Sequence, residues 1–249
     1  MTAVKAVLLD ADGTLWDTSA AMDAAGAVAM RVVWPDLGEE TAAEAAVRFR
    51  SDPRAVFRAF VAGSHTFDEM RLLRLRDVAE AFGLDWEDGH SARFETAYLP
   101  VFDEALTAFD DSLPFLQWLS QAGIPVRVLT NSAPAFTVGK VTSAGLLALD
   151  GLVCSRDCLG VGKPAPEVFH HACEELGADP AEVAYVGDEW TSDVMGSHDA
   201  GLVAVWLRRG DEAAGEDLTV ADRLAVAEER GIPVVASLAE LPALLRPGT

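Results

Sequence analysis

Val7-Leu8-Leu9-Asp10-Ala11-Asp12-Gly13-Thr14-Leu15 is the stretch whose reading decides the fold. The apolar run before Asp10 predicts a buried strand, and Gly13 predicts its end. Side chains two residues apart on a strand point the same way, so Asp10 and Asp12 should emerge side by side where the chain leaves the sheet. Two neighbouring carboxylates repel, and a metal ion, a lysine or a shared proton must offset that repulsion. Each remedy is also a route to nucleophilic or acid-base chemistry.

Working outward, three further segments carry groups of matching chemistry. Val126-Arg127-Val128-Leu129-Thr130-Asn131 is a second strand-like run, ending in a hydroxyl and an amide suited to an anionic oxygen. Gly162-Lys163-Pro164-Ala165-Pro166-Glu167 sets a lysine just before a helix opened by proline. Val183-Ala184-Tyr185-Val186-Gly187-Asp188 is a third strand ending in an acid, with Asp193 five residues later where a helix should begin. From Asp103 onward helices and short apolar strands alternate, the mark of right-handed crossovers in a parallel sheet. Strands are predicted at Val4 to Leu9, Val126 to Thr130, Leu152 to Ser155, Val183 to Val186 and Val203 to Leu207, with a last strand and helix in Ile232 to Leu245. Helices are predicted at Ser112 to Gln121, Ala165 to Leu176 and Ser192 to Ala200. Asp10, Thr130 and Asp188 then all lie at carboxyl ends of strands, where open sheets of this class bind ligands.

Between Leu15 and about Leu99 the pattern is helical. Leu72, Leu75, Ala79 and Phe82 follow helical spacing while Arg71, Arg74, Asp77 and Glu80 occupy other faces, as an amphipathic helix requires; Arg71 and Arg74 read as a solvated face in preference to a contact with a substrate's charged end. Gly83 should cap that helix. Ala42 to Phe60 is broken by Ser51-Asp52-Pro53, and Pro53 is expected at a helix start. Trp16 and Trp190, each following one of the motifs, either line an entrance or pack. The five histidines show no spacing that defines a zinc site.

The 249 residues suffice for one domain or for a core with a smaller companion. No apolar run approaches the ~20 residues of a membrane span. Met1 to Lys5 lead straight into the first strand without a signal-peptide pattern, so cytoplasmic residence is the expectation. Forty acidic against nineteen basic residues give a net charge of -21, which disfavours nucleic acid and anionic membrane surfaces as partners. The same field would repel an anionic ligand, so an anion site needs local positive charge, which Lys163 and a divalent cation can provide. Cys154, Cys158 and Cys173 are read as reduced, buried thiols.

In order and chemistry the four motifs resemble those of the haloacid dehalogenase-like (HAD) hydrolase superfamily, most closely its phosphatases with a helical cap inserted after the first motif (subfamily IA-like, C1 cap). The resemblance spans Val4 to about Val205. It implies an α/β fold: a Rossmann-like, doubly wound parallel sheet formed by residues 1-16 and 101-249, with an α-helical cap at 17-100. It implies a magnesium-dependent phosphatase acting on a small-molecule phosphate ester through an aspartyl-phosphate. Asp10 would be the nucleophile and Asp12 the general acid and base. Asp10, Asp188 and the backbone carbonyl of Asp12 would hold Mg2+. Thr130 and the Asn131 amide would bind phosphoryl oxygens, and Lys163 would neutralise their charge. Asp193 would bind a metal-bound water or orient Lys163. The physiological substrate and oligomeric state are left open by the chain.

Three other functions fit the same chemistry. A 2-haloacid dehalogenase of this superfamily needs no metal and no acid at the Asp12 position. A phosphosugar mutase resembling the familiar ones would carry a cap-hinge histidine twelve residues after the nucleophile, where this chain has Met22. A non-catalytic interaction protein would have no need of the full motif set.

Overall fold

A computed structural model describes residues 2–132, 137, 139–140, 152–154, 159–210 and 218–247. The chain divides into two compact units, one of Met1–Trp16 with Ala108–Thr249 and one of Asp17–Thr107.

The first unit is built on parallel strands. β1 (Thr2–Val4) is followed by β2 (Ala6–Leu9), then β3 (Val126–Thr130), β4 (Leu152–Cys154), β5 (Val183–Gly187), β6 (Val203–Leu207), β7 (Val234–Val235) and β8 (Leu245–Pro247). Six of them form one sheet in the order β4-β3-β2-β5-β6-β7, every pair parallel. All of β2 and β5 is buried, which explains why both read as unbroken apolar runs. The strand predicted from Val4 to Leu9 is two strands. Thr2–Val4 pairs with Leu245–Pro247 in a separate two-stranded sheet, and the Lys5 amide between them bonds the Glu182 carbonyl at 2.7 Å.

Helices Ser112–Gln121, Pro166–Leu176 and Val220–Arg230 complete the alternation. The second shows why: Val168, Phe169, Ala172 and Cys173 form one stripe that packs with Leu8, Leu129 and Tyr185. The helix predicted at Ser192 to Ala200 is instead a π-helical turn, Trp190–Met195, running into a short α-helix, Gly196–Asp199. β2 lies between β3 and β5, so the strand order reverses on either side of it. The crevice beyond its carboxyl end is the switch point of the sheet.

The second unit is helical: α1 (Thr18–Val33), α2 (Glu39–Ser51), α3 (Val56–Val61), α4 (Phe67–Ala81) and α5 (His90–Ala105). Small residues let α1 approach its neighbours. A Cβ on Gly26 would lie 2.7 Å from that of Ala46, and Ala21, Ala25 and Ala29 are fully buried. Thr66 and Glu69 form a capping box at the start of α4, and Gly83, at φ +63°, follows its end.

Three expectations for this region are corrected. Pro53 lies in the turn between α2 and α3 and opens no helix, because Asp52 and Ala55 adopt left-handed conformations that break the path there. Helix α5 continues through Pro100 to Ala105, so the unit boundary falls after Thr107 instead of after residue 100. Arg71, Arg74 and Asp77 are buried, not solvated. Arg71 forks onto Glu95 at 2.9 and 3.0 Å over the ring of Tyr98, Arg74 caps the carbonyls of Phe49 and Arg50, and Asp77 receives Arg48 and Arg54. Hydrogen-bonded forks and ion pairs inside the unit replace the water these charges would otherwise need.

Candidate active site

Asp10 leaves the carboxyl end of β2, its amide bonded to the Val186 carbonyl at 2.9 Å. Only 6% of the residue is exposed. Its Oδ1 accepts a 2.6 Å bond from Lys163 Nζ. The same ammonium donates to Asp193 Oδ1 at 2.7 Å and to the Tyr185 hydroxyl at 2.8 Å, so its three protons have three acceptors. Asn131 fixes the backbone of that lysine: its Nδ2 donates to the Lys163 carbonyl at 3.1 Å and its Oδ1 accepts from the Lys163 amide at 2.8 Å.

Asp12, two residues on, is held by a different set. Trp16 Nε1 donates to its Oδ1 at 2.8 Å, Ser132 Oγ donates to its Oδ2 at 2.8 Å, and Lys140 Nζ pairs with Oδ1 at 2.6 Å. The two carboxylates that the strand delivers together thus face two separate ammonium groups. Trp190 packs against Trp206 with ring centres 4.8 Å apart, whereas Trp16, fully buried, both packs and holds Asp12.

Thr130 ends β3, buried, with its hydroxyl accepting from the Ser132 amide at 3.1 Å. Asp188 follows β5. One of its oxygens, Oδ1, is buried with no hydrogen-bond partner among the described residues. A Cβ on Gly13, whose φ is +79°, would sit 2.3 Å from Asp188 Oδ2, so any side chain here strains the backbone and requires Asp188 to shift. Gly187 plays the same part for Asp193: a Cβ there would meet Asp193 Cγ at 2.6 Å. Asp193 is 1% exposed, and its Oδ2 accepts the Glu189 amide at 3.0 Å. That bond closes over the π-turn, in which the Val194 amide reaches back to the Glu189 carbonyl.

Ligand atoms of Asp10, Asp188 and Asp193 lie within 4.8 Å of one another. The electrostatics follow from this crowding. Burial is the largest influence on Asp10 and pushes it up to about 8; Lys163 opposes that rise, while Asp193 and Asp12 add to it. Asp188 is held well above the ordinary carboxylate range by burial and then by the charges of Asp10 and Asp193. Burial alone would lower Lys163, but Asp10 and Asp193 outweigh it and hold the ammonium above its usual value. Three carboxylates against one ammonium leave an excess of negative charge in a desolvated place.

All seven residues read from the motifs therefore belong to the first unit: Asp10, Asp12, Thr130, Asn131, Asp188 and Asp193 lie at or just beyond the carboxyl ends of β2, β3 and β5, and Lys163 lies between β4 and the helix Pro166–Leu176. Tyr185, Ser132 and Lys140 escaped the sequence reading. Tyr185 had a signal, since a hydroxyl in a wholly buried strand requires a partner. Lys140 had none, because 128 residues separate it from Asp12. Among the thiols, Cys173 is free and buried, which pushes it up to about 11; Cys158 and the side chain of Cys154 lie outside the described residues. No described helix is long and apolar enough to cross a membrane.

A family model described as haloacid dehalogenase-like hydrolase matches residues 4–201. A glyceraldehyde 3-phosphate phosphatase of Methanopyrus kandleri is 30% identical over 207 residues, 83% of this chain and 85% of that protein. A phosphoserine phosphatase of Thermus thermophilus is 35% identical over 153 residues, covering 60% of this chain but 55% of that one. Among solved structures, the L-2-haloacid dehalogenase of Xanthobacter autotrophicus superposes with a TM-score of 0.69 at 25% identity, covering 97% of this chain and 98% of the other.

Proposed function

Since the chain belongs to the haloacid dehalogenase-like hydrolases, we propose that it is a magnesium-dependent phosphatase that hydrolyses a small phosphate monoester through an aspartyl-phosphate on Asp10. The observation that carries this reading is Asp188 Oδ1 beside Asp10, buried and with no hydrogen-bond partner among the described residues, in a site with more carboxylates than ammonium groups. A divalent cation answers both features, and an all-oxygen donor set suits a hard ion such as Mg2+. Asp10, Asp188 and the Asp12 carbonyl would hold it. When bound, it supplies positive charge that offsets the carboxylates and the phosphoryl oxygens.

The chain's own groups supply the remainder. An Asp10 oxygen attacks phosphorus while the bond to the ester oxygen breaks, and Asp12 delivers a proton to the departing alkoxide. Water then attacks the aspartyl-phosphate, giving its proton to Asp12 and releasing phosphate and the Asp10 carboxylate. Thr130 and the Asn131 amide orient phosphoryl oxygens, and Lys163 stabilises the charge that builds there. Both Asp193 oxygens are already engaged by Lys163, Tyr185 and the Glu189 amide, which supports its reading as the group that orients Lys163. The helical unit, Asp17–Thr107, is read as the cap that selects the leaving group.

The phosphatase names of the two relatives support this reading, and the likeness to an L-2-haloacid dehalogenase supports the alternative. Asp12 favours the first, since displacement of halide requires no proton donor. Purified protein should release phosphate from an aryl phosphate with magnesium, lose that activity in EDTA, and be inactive as Asp10→Asn. Halide release from a 2-haloacid without phosphatase activity would overturn the assignment.

A further inference from the structure

Among the described residues Lys140, like Lys163, pairs with a motif carboxylate, and no motif read from the sequence contains it. Its side chain is 9% exposed, and its ammonium lies 2.6 Å from Asp12 Oδ1. Placing a lysine head out of water costs free energy unless it is paired, and the contact with Asp12 supplies such a pair. Trp16 shares the same oxygen and Ser132 takes the other. The three donors come from the loop after β2, the loop after β3 and the helical turn at Lys140, and they fix the carboxyl plane from both ends. An aspartate has two side-chain torsions, and donors at both oxygens leave it one orientation.

We propose that Lys140 is a positioning residue for Asp12, aiming its carboxyl group at the leaving-group oxygen. The inference rests on the phosphatase reading and deepens it. Lys163 serves the nucleophile and Lys140 serves the proton donor, so the two lysines act on different bonds of the same reaction. Loss of Lys163 should slow every ester. Loss of Lys140 should slow those esters whose leaving oxygen needs a proton as the bond to phosphorus breaks.

The test compares two esters of similar shape on one preparation: dinitrophenyl phosphate, whose leaving group departs without a proton, and phenyl phosphate, whose leaving group needs one. The readout is kcat/KM, which covers steps through phosphoenzyme formation. In Lys140→Met the ratio of the two values should rise about tenfold or more in favour of the activated ester. Lys140→Arg should restore most of the ratio. In an Asp12→Asn background, Lys140→Met should leave the ratio where Asp12→Asn alone put it, because the two residues act as a unit. An equal loss on both esters, or additive effects in the double variant, would overturn the assignment while leaving the phosphatase reading intact. Failure of the unsubstituted protein to hydrolyse either ester would overturn both.

Discussion

Gly13 is the residue on which the site turns, because two demands meet there. Its φ of +79° lets the chain leave β2 sharply, and its missing Cβ admits Asp188 Oδ2, which would otherwise be 2.3 Å away. Gly13→Ala should therefore lower kcat/KM for an aryl phosphate about 100-fold, the scale of a small misplacement of reacting groups. An alanine variant within threefold or so of the parent would show that Asp188 has room to move. Asp10 and Asp12 were recognisable from the residue pattern, since strand geometry fixes a two-residue period. Their partners were not equally visible. Lys163 stood out through the proline-opened helix behind it, whereas Lys140 and Ser132 reach Asp12 across 128 and 120 residues of intervening chain.

At the scale of elements, the strand ends deliver the groups, and a small polar cluster fastens the helix Ser112–Gln121 to them. Asp111, just before that helix, accepts Arg209 through both oxygens at 3.0 and 2.7 Å, Ser237 Oγ at 2.6 Å and the Leu238 amide at 2.9 Å. Arg209 also donates to the Thr14 carbonyl at 2.9 Å, so the cluster ties down the loop that carries Asp12. Burial alone would raise the Asp111 carboxyl, but the bonds from Arg209 and Ser237 and the charge of Arg209 outweigh it and hold it below its ordinary value. The sign follows. A carboxyl with a depressed folded-state value stabilises the fold above its unfolded value of about 3.9, and that stabilisation is lost as pH falls through the folded value. Asp111→Asn should cost about 1–3 kcal/mol in urea unfolding at neutral pH, and the gap to the parent should narrow below about pH 4. A gap independent of pH would place the effect in packing and not in the charge. Helix α4 marks where pattern reading failed at this scale. Charge is usually solvated, but here α2 and α5 give Arg71 and Arg74 carbonyls, a carboxylate and aromatic faces, and the guanidinium groups of Arg48 and Arg54 take the place of water around Asp77.

For the molecule as a whole, a net charge of -21 meets a site with a local excess of carboxylates. A cation that binds only the folded state adds stability by mass action, about 2.7 kcal/mol at 100 times its Kd. Magnesium should raise the Tm of the parent protein in a concentration-dependent way, EDTA should reverse the rise, and Asp188→Asn should abolish it. An equal rise in the Asp188→Asn variant would trace the effect to screening of the overall charge. The amino-acid sequence by itself determined the alternation of strands and helices and the helical character of the segment between the first two motifs. Those features follow from local rules: burial pattern, strand period, and glycine and proline at element ends. Tertiary structure alone decided that Lys5 splits the first strand, that Arg71, Arg74 and Asp77 are buried, and that each of the paired carboxylates has its own lysine. Each of those outcomes depends on which distant groups arrive to replace water around a charge or a backbone amide, and no local spacing encodes that arrival.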